Sequence, residues 1–146
     1  MLTKSNWLST NILNKALKNT NWTHPSTVFL ALYLSNPTAS DTGTEVSGGG
    51  YVRLPITFGS VVDITLSLYD IKTGAAETVT RKGLRSAADV THAIATADWG
   101  LVSHIGLRTA ATGGNLMHFG PVTNPRTILA NDRLIVRADD IVITEG

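Results

Sequence analysis

Residues 51–68 read YVRLPITFGSVVDITLSL, and this stretch decides the fold. Val52, Leu54, Ile56 and Phe58 alternate with Tyr51, Arg53 and Thr57; Val62, Ile64, Leu66 and Leu68 then alternate with Asp63, Thr65 and Ser67. A side-chain period of two sends each set to its own face of a pleated strand, so both runs read as half-buried strands. Pro55 falls on the outward register and has no N–H to donate, which places the first run at a sheet edge or a bulge.

The same rhythm extends in both directions. Upstream, Val28–Leu34 is apolar at nearly every position and reads as a strand covered on both faces. Downstream, Lys72-Thr73-Gly74-Ala75 supplies a turn from which Glu77–Arg81 pairs back as a hairpin. Further strands are predicted at Val90–Ala95, Leu101–Arg108, Leu116–Val122, Arg133–Ala138 and Ile141–Thr144. Between them lie Thr112-Gly113-Gly114-Asn115, Asn124-Pro125 and Asn131-Asp132, residue types that favour turns. About nine strands with a turn every 8–12 residues predict an antiparallel β-sandwich or jelly-roll-like domain. One segment breaks the rhythm: Ser35–Gly50 is polar, has no periodicity, and closes on Gly48-Gly49-Gly50. It is expected to be an exposed loop ordered by a neighbouring subunit.

One helix precedes the strands. Over residues 4–19, Leu8, Ile12, Leu13, Ala16 and Leu17 share one side, while Lys4, Asn11, Asn14, Lys15 and Lys18 take the other. Thr3 or Ser5 can cap its start, and His24-Pro25 marks the end of the segment. Trp7 and Trp22 bracket the helix and are read as its anchors. The division is therefore 1–24, helix and linker, and 25–146, sandwich, within a single domain. About four turns of helix are marginal alone, so the stripe must dock on its own body or on a neighbour.

Composition narrows the function. The 146 residues suit one domain with a real core. With 42% hydrophobic and 16% charged residues, the chain is neither disordered nor membrane-embedded. No apolar run approaches the ~18 residues that span a bilayer. A net charge of +1 carries no basic stripe for nucleic acid. The absence of cysteine removes disulfides, thiolate metal sites and a cysteine nucleophile together.

Candidate chemistry is sparse. His104 and His118, on neighbouring predicted strands, would need to meet with Asp98 to imitate a three-ligand zinc site, and no H-x-H or H-x-x-x-H spacing supports that. No G-x-S-x-G elbow and no G-x-x-x-x-G-K-[ST] loop is present. The scattered Glu45, Glu77 and Glu145 single out no catalytic pair. Trp99, ahead of a predicted strand beside Gly100, reads as a plug at one end of the sandwich; the alternative is a platform for a sugar ring. No catalysis, metal or cofactor is expected.

Two longer motifs carry a resemblance. Gly43-Thr44-Glu45-Val46-Ser47-Gly48-Gly49-Gly50-Tyr51-Val52-Arg53 resembles the G-T-E-V-S-G-G-G-Y-x-R signature of small tailed-phage structural proteins commonly labelled phage tail fibre proteins. Ala95-Thr96-Ala97-Asp98-Trp99-Gly100 followed by Val102, His104 and Gly106, then Ala110–Leu116, is similar to the second block of that family. The segment Ala130–Ile143 and the run Pro25, Val28, Leu30, Ala31, Leu32 and Tyr33 fit as well. Residues 60–88 look longer than the family's usual connection, and Leu107-Arg108-Thr109 stands where relatives tend to carry an aromatic and an acid.

The resemblance implies a non-enzymatic virion protein, assembled in the host cytoplasm: a tail, baseplate or fibre-associated module that binds other virion structural proteins. A capsid decoration (cement) protein and a host-glycan-binding module are the alternatives. Virion symmetry favours a homo-oligomer, with three-fold the expected order. The expected assembly interface comprises Trp7, Leu8, Ile12, Leu13 and Leu17 of the helix with Glu45, Gly48, Gly49 and Gly50 of the loop. Nucleic acid and membrane are not expected partners.

Overall fold

The computed structural model describes residues 1–145. In chain order its elements are β1 (Thr3–Lys4), α1 (Asn6–Lys18), β2 (Val28–Tyr33), β3 (Leu54–Ile56), β4 (Val62–Tyr69) and β5 (Ala76–Arg85), followed by β6 (Val90–Thr91), β7 (Gly100–Arg108), β8 (Leu116–Ile128), β9 (Ile135–Val136) and β10 (Val142–Thr144). Every pairing is antiparallel. One sheet has the order β1-β8-β7-β2-β3, a second β10-β5-β4, and β6 pairs with β9 alone.

β2 lies inside the large sheet and is apolar on both faces for that reason. Leu30 and Leu32 join the main core, whereas Ala31 and Tyr33 point to the other side and form a second cluster with Leu116 and Phe119. The main core is the space between layers. From the large sheet it takes Leu30, Leu32, Ile56, Val102, Ile105 and Leu107; Val90 and Ile141, with half-buried Val136 and Ile143, close it from the other side. The mainly β, sandwich-like class follows, with one helix among the described residues. Pro55 is exposed on β3, and β3 is an edge strand, as its missing N–H requires.

Among the described residues ten strands form where the pattern gives about nine, and the differences have local causes. β1 is added by two residues, Thr3 and Lys4, that pair with Phe119 and His118 and bear no readable periodicity. β8 runs on to Ile128 through Asn124-Pro125, because the register shift between Val102↔Arg126 and His104↔Pro121 absorbs that turn-like pair as a bulge. β6 and β9 shrink to two residues each, paired Val90↔Val136 and Thr91↔Ile135.

The helix begins one residue after its cap. The Ser5 hydroxyl accepts the Leu8 N–H (3.2 Å) and donates to the Leu116 carbonyl, so one side chain both caps α1 and fastens it to β8. At the other end Asn19 adopts φ +49 and its N–H closes on the Asn14 carbonyl. The hairpin of β4 and β5 pairs without interruption from Val62↔Gly83 to Tyr69↔Ala76. At its tip Asp70 accepts the N–H groups of Lys72 (2.7 Å) and Thr73 (3.1 Å), which holds its carboxyl below the usual range.

Candidate assembly site

The loop that closes on three glycines is built around Glu45. Its carboxylate receives Arg53 in a two-pronged pair, Nε to Oε1 at 2.7 Å and Nη2 to Oε2 at 2.6 Å, and also the Tyr51 hydroxyl at 2.9 Å. Arg53 has two further N–H groups for the chain beyond: Nη1 donates to the carbonyls of Ala110 (2.9 Å) and Gly113 (2.7 Å). The Tyr51 oxygen accepts the Leu32 N–H at 3.0 Å. Burial, and then the adjacent Glu45 carboxylate, push the Tyr51 hydroxyl up. The Glu45 contacts raise the Arg53 guanidinium despite its burial. Glu45, Tyr51 and Arg53 thus tie β2, the loop and the turn before β8 into one unit.

The glycines serve the same unit. Gly48, Gly49 and Gly50 all have positive φ (+74, +56 and +75), a region where a side chain is strained. Gly49 has a second reason: a Cβ there would sit 2.7 Å from the Ala97 carbonyl oxygen and 2.8 Å from Trp99 Cδ1. Its own carbonyl accepts the Trp99 indole N–H at 2.9 Å. Trp99 is 4% exposed and meets Tyr51 and His92 edge-on at 5.6 and 5.7 Å. It plugs the body, and a sugar ring has no access to its faces.

Residues 35–50 are held by their own chain, which corrects the expectation that a neighbour orders them. The Leu34 N–H donates to Thr44, Thr42 to Pro37, and Val46 to Leu32, with Tyr33 and Glu45 forming an isolated bridge. Pro37 and Val46 are buried. Asp41 caps the assembly with a two-pronged pair to Arg108, at 2.8 and 2.9 Å. Arg108 also donates to the Tyr33 hydroxyl and the Gly114 carbonyl. Burial works to lower this guanidinium, but the Asp41 and Tyr33 bonds win and hold it raised. Asp41 and Arg108 lie 67 residues apart, and only the presence of a cation inside an apolar strand hinted at such a partner.

The expected interface residues separate into two groups. Glu45 and Gly49 are engaged inside the chain, while Gly48 and Gly50 are exposed. On α1 the stripe runs from buried to bare: Leu8 is buried, Trp7 and Ile12 are half-buried, and Leu13 and Leu17 are 57% and 79% exposed. Trp7 packs edge-on against Trp22 at 5.9 Å, so the two tryptophans brace the helix against the linker.

The histidines do not converge. His104 stands opposite Pro121 and His118 opposite Leu107. Asp98 is used to accept the Ala130 N–H at 2.8 Å. Among the described residues no group of three His, Cys, Asp or Glu side chains is placed to hold a metal ion. His92 is 2% exposed and stacks on Tyr51, and burial lowers its pKa to about 4.

Comparison with known proteins places the chain. A family model described as "Podophage GP4 fiber I protein gp80" matches residues 3–144. No curated protein matches. With nearly its whole length matched, the chain belongs to this family of podophage fibre proteins, and it is a structural, tail-associated component of the phage particle.

Proposed function

We propose that this member of the fibre family is a non-catalytic connector, joining its neighbours in the tail through the outer half of α1. One observation carries the reading: the apolar stripe continues to Leu13, Ala16 and Leu17 after the body has stopped covering it. A helix that is amphipathic along its length and packed at one end only leaves this apolar surface for another chain. The connector self-associates, three copies around the helices, and binds other virion proteins from that platform.

Leu13→Asp tests the reading without confounding it, because an exposed position tolerates the charge in the folded monomer. Light scattering of the wild-type protein gives the mass of three chains or a multiple of it, and the variant gives a lower mass with an unchanged circular dichroism spectrum. A wild-type monomer, or a variant with the same mass as wild type, rejects the helix as the contact. Location is tested on particles: the protein accompanies isolated tails and is missing from tail-free heads. Its presence on such heads would favour capsid decoration instead.

A further inference from the structure

β4 has a free edge. It pairs with β5 on one side, and among the described residues no strand stands on the other. Folded proteins block such edges with inward charges, proline or bulges, since an open row of N–H and C=O groups invites another strand. β4 has none of these. Its eight pairs with β5 are unbroken, and its one charge, Asp63, lies on the outward face against Lys82 at 2.6 Å. On the other face stand Val62, Ile64, Leu66 and Leu68, and the covering thins toward both ends, with Val62 47% and Leu68 46% exposed. A cavity of about 660 Å3 between the layers reaches Ile64, Thr65 and Leu66, with Val102, Ile105 and Val122 on its far wall. A strand added to this edge would carry its own apolar residues toward that opening.

We propose that the added strand is β4 of a second copy of this chain, antiparallel about a two-fold axis at Thr65. The sequence of the strand is complementary to itself in that register. Val62 meets Leu68 and Ile64 meets Leu66, so apolar residues face apolar residues across the seam. Asp63 meets the Ser67 hydroxyl, and no like charges stand opposite one another. Thr65 meets Thr65 and extends a contact already present, since Thr65 and Thr80 hydroxyls lie 3.3 Å apart across β4 and β5. A four-threonine row then crosses the joined sheet. Shifting the axis to Leu66 would instead set Asp63 against Tyr69. The contact uses none of the α1 residues and can be made whether or not the helices associate.

The chain has no cysteine, so introduced ones report alone. Opposed Cα atoms in an antiparallel pair are about 4.5–5.5 Å apart, within disulfide range. Under mild oxidation, Thr65→Cys forms a cross-linked dimer on a non-reducing gel. Asp63→Cys and Ser67→Cys remain uncross-linked singly, because each faces the other residue, and cross-link when the two variants are mixed. Adding Leu68→Lys to Thr65→Cys abolishes the dimer with the circular dichroism spectrum retained; should that variant unfold, the mixing experiment decides alone. Repeating the series with Leu13→Asp present separates this contact from the helix, since the Thr65→Cys dimer persists there. No Thr65→Cys dimer, equal cross-linking at all three positions, or a dimer that survives Leu68→Lys in a folded protein overturns the proposal. The first result is also the one expected if the edge receives a strand from a different virion protein.

Discussion

Replacing Glu45 by Gln removes a charge from a site where Arg53 cannot easily find another. The Arg53 side chain is 9% exposed and the Glu45 side chain 23%, so water compensates little for the loss. Breaking a buried pair from one side costs about 3–5 kcal/mol, because the remaining charge stays buried. Two features reduce that here: Arg53 keeps its bonds to the Ala110 and Gly113 carbonyls, and the Gln amide oxygen still accepts one N–H. The expected cost is therefore about 2–3 kcal/mol, below the full one-sided penalty. At about 2–4 °C per kcal/mol for a chain of this size, Glu45→Gln lowers Tm by about 5–10 °C in a circular dichroism melt at pH 7. Arg53→Met removes the other partner, and the double variant loses less than the sum of the two, with a coupling of about 1–2 kcal/mol. A shift of Glu45→Gln below about 1 °C, or strictly additive losses, would refute the internal tie and return Glu45 to the surface as a contact for another protein.

Gly49→Ala is expected to cost about 2–4 kcal/mol, adding positive-φ strain to a collision with Ala97 and Trp99, whereas Gly48→Ala costs only the strain of about 1–2 kcal/mol because nothing lies within 4 Å of its Cβ. Urea melts followed by Trp fluorescence compare the two, and equal losses would show that Gly49 is not packed under the indole. His92 gives a pH dependence of definite sign. Its pKa falls from 6.5 to about 4 on folding, so the unfolded chain binds the proton first; the stabilisation is complete above 6.5 and is lost as pH falls toward 4, by about 3 kcal/mol at most. His118, also lowered to about 4 by burial and by Lys4, acts in the same direction. His92→Leu therefore flattens the stability profile between those pH values relative to wild type; parallel profiles would place His92 outside the aromatic cluster.

The fold was legible wherever periodicity and burial coincide. Alternation along Val62–Leu68 and the unbroken apolar run of β2 each have one explanation, a face or two faces covered. The helix cap was narrowed to Thr3 or Ser5, because a hydroxyl side chain before an apolar-periodic run has a specific backbone partner, and Ser5 takes it. Boundaries failed where pairing geometry overrules composition. Asn124-Pro125 is a turn by residue type, yet a bulge carries it inside β8. Thr3 and Lys4 become a strand only because β8 passes beside them.

The site divides along the same line, and the division says which residues already spend their bonding inside the chain. A sequence signature marks residues that need special chemistry or backbone shape, but not whether that need is internal or external. Here Glu45, Tyr51, Arg53 and Gly49 use their bonding within the chain, as do Asp41 and Arg108 across 67 residues of sequence. A polar loop can therefore be tightly held without a neighbour, since two-pronged ion pairs and backbone bonds do for it what apolar burial does for a strand. Uncovered apolar side chains include Leu13 and Leu17 of α1 and Leu68, Tyr69 and Ile71 of the hairpin, where Ile71 is fully exposed; Val52, Val61, Ile94, Leu101 and Leu129 are exposed singly elsewhere. Apolar periodicity in these two elements runs past the point where the body covers it. Each therefore carries more pattern than its own fold consumes, and it is on that excess that we propose this fibre protein meets its neighbours.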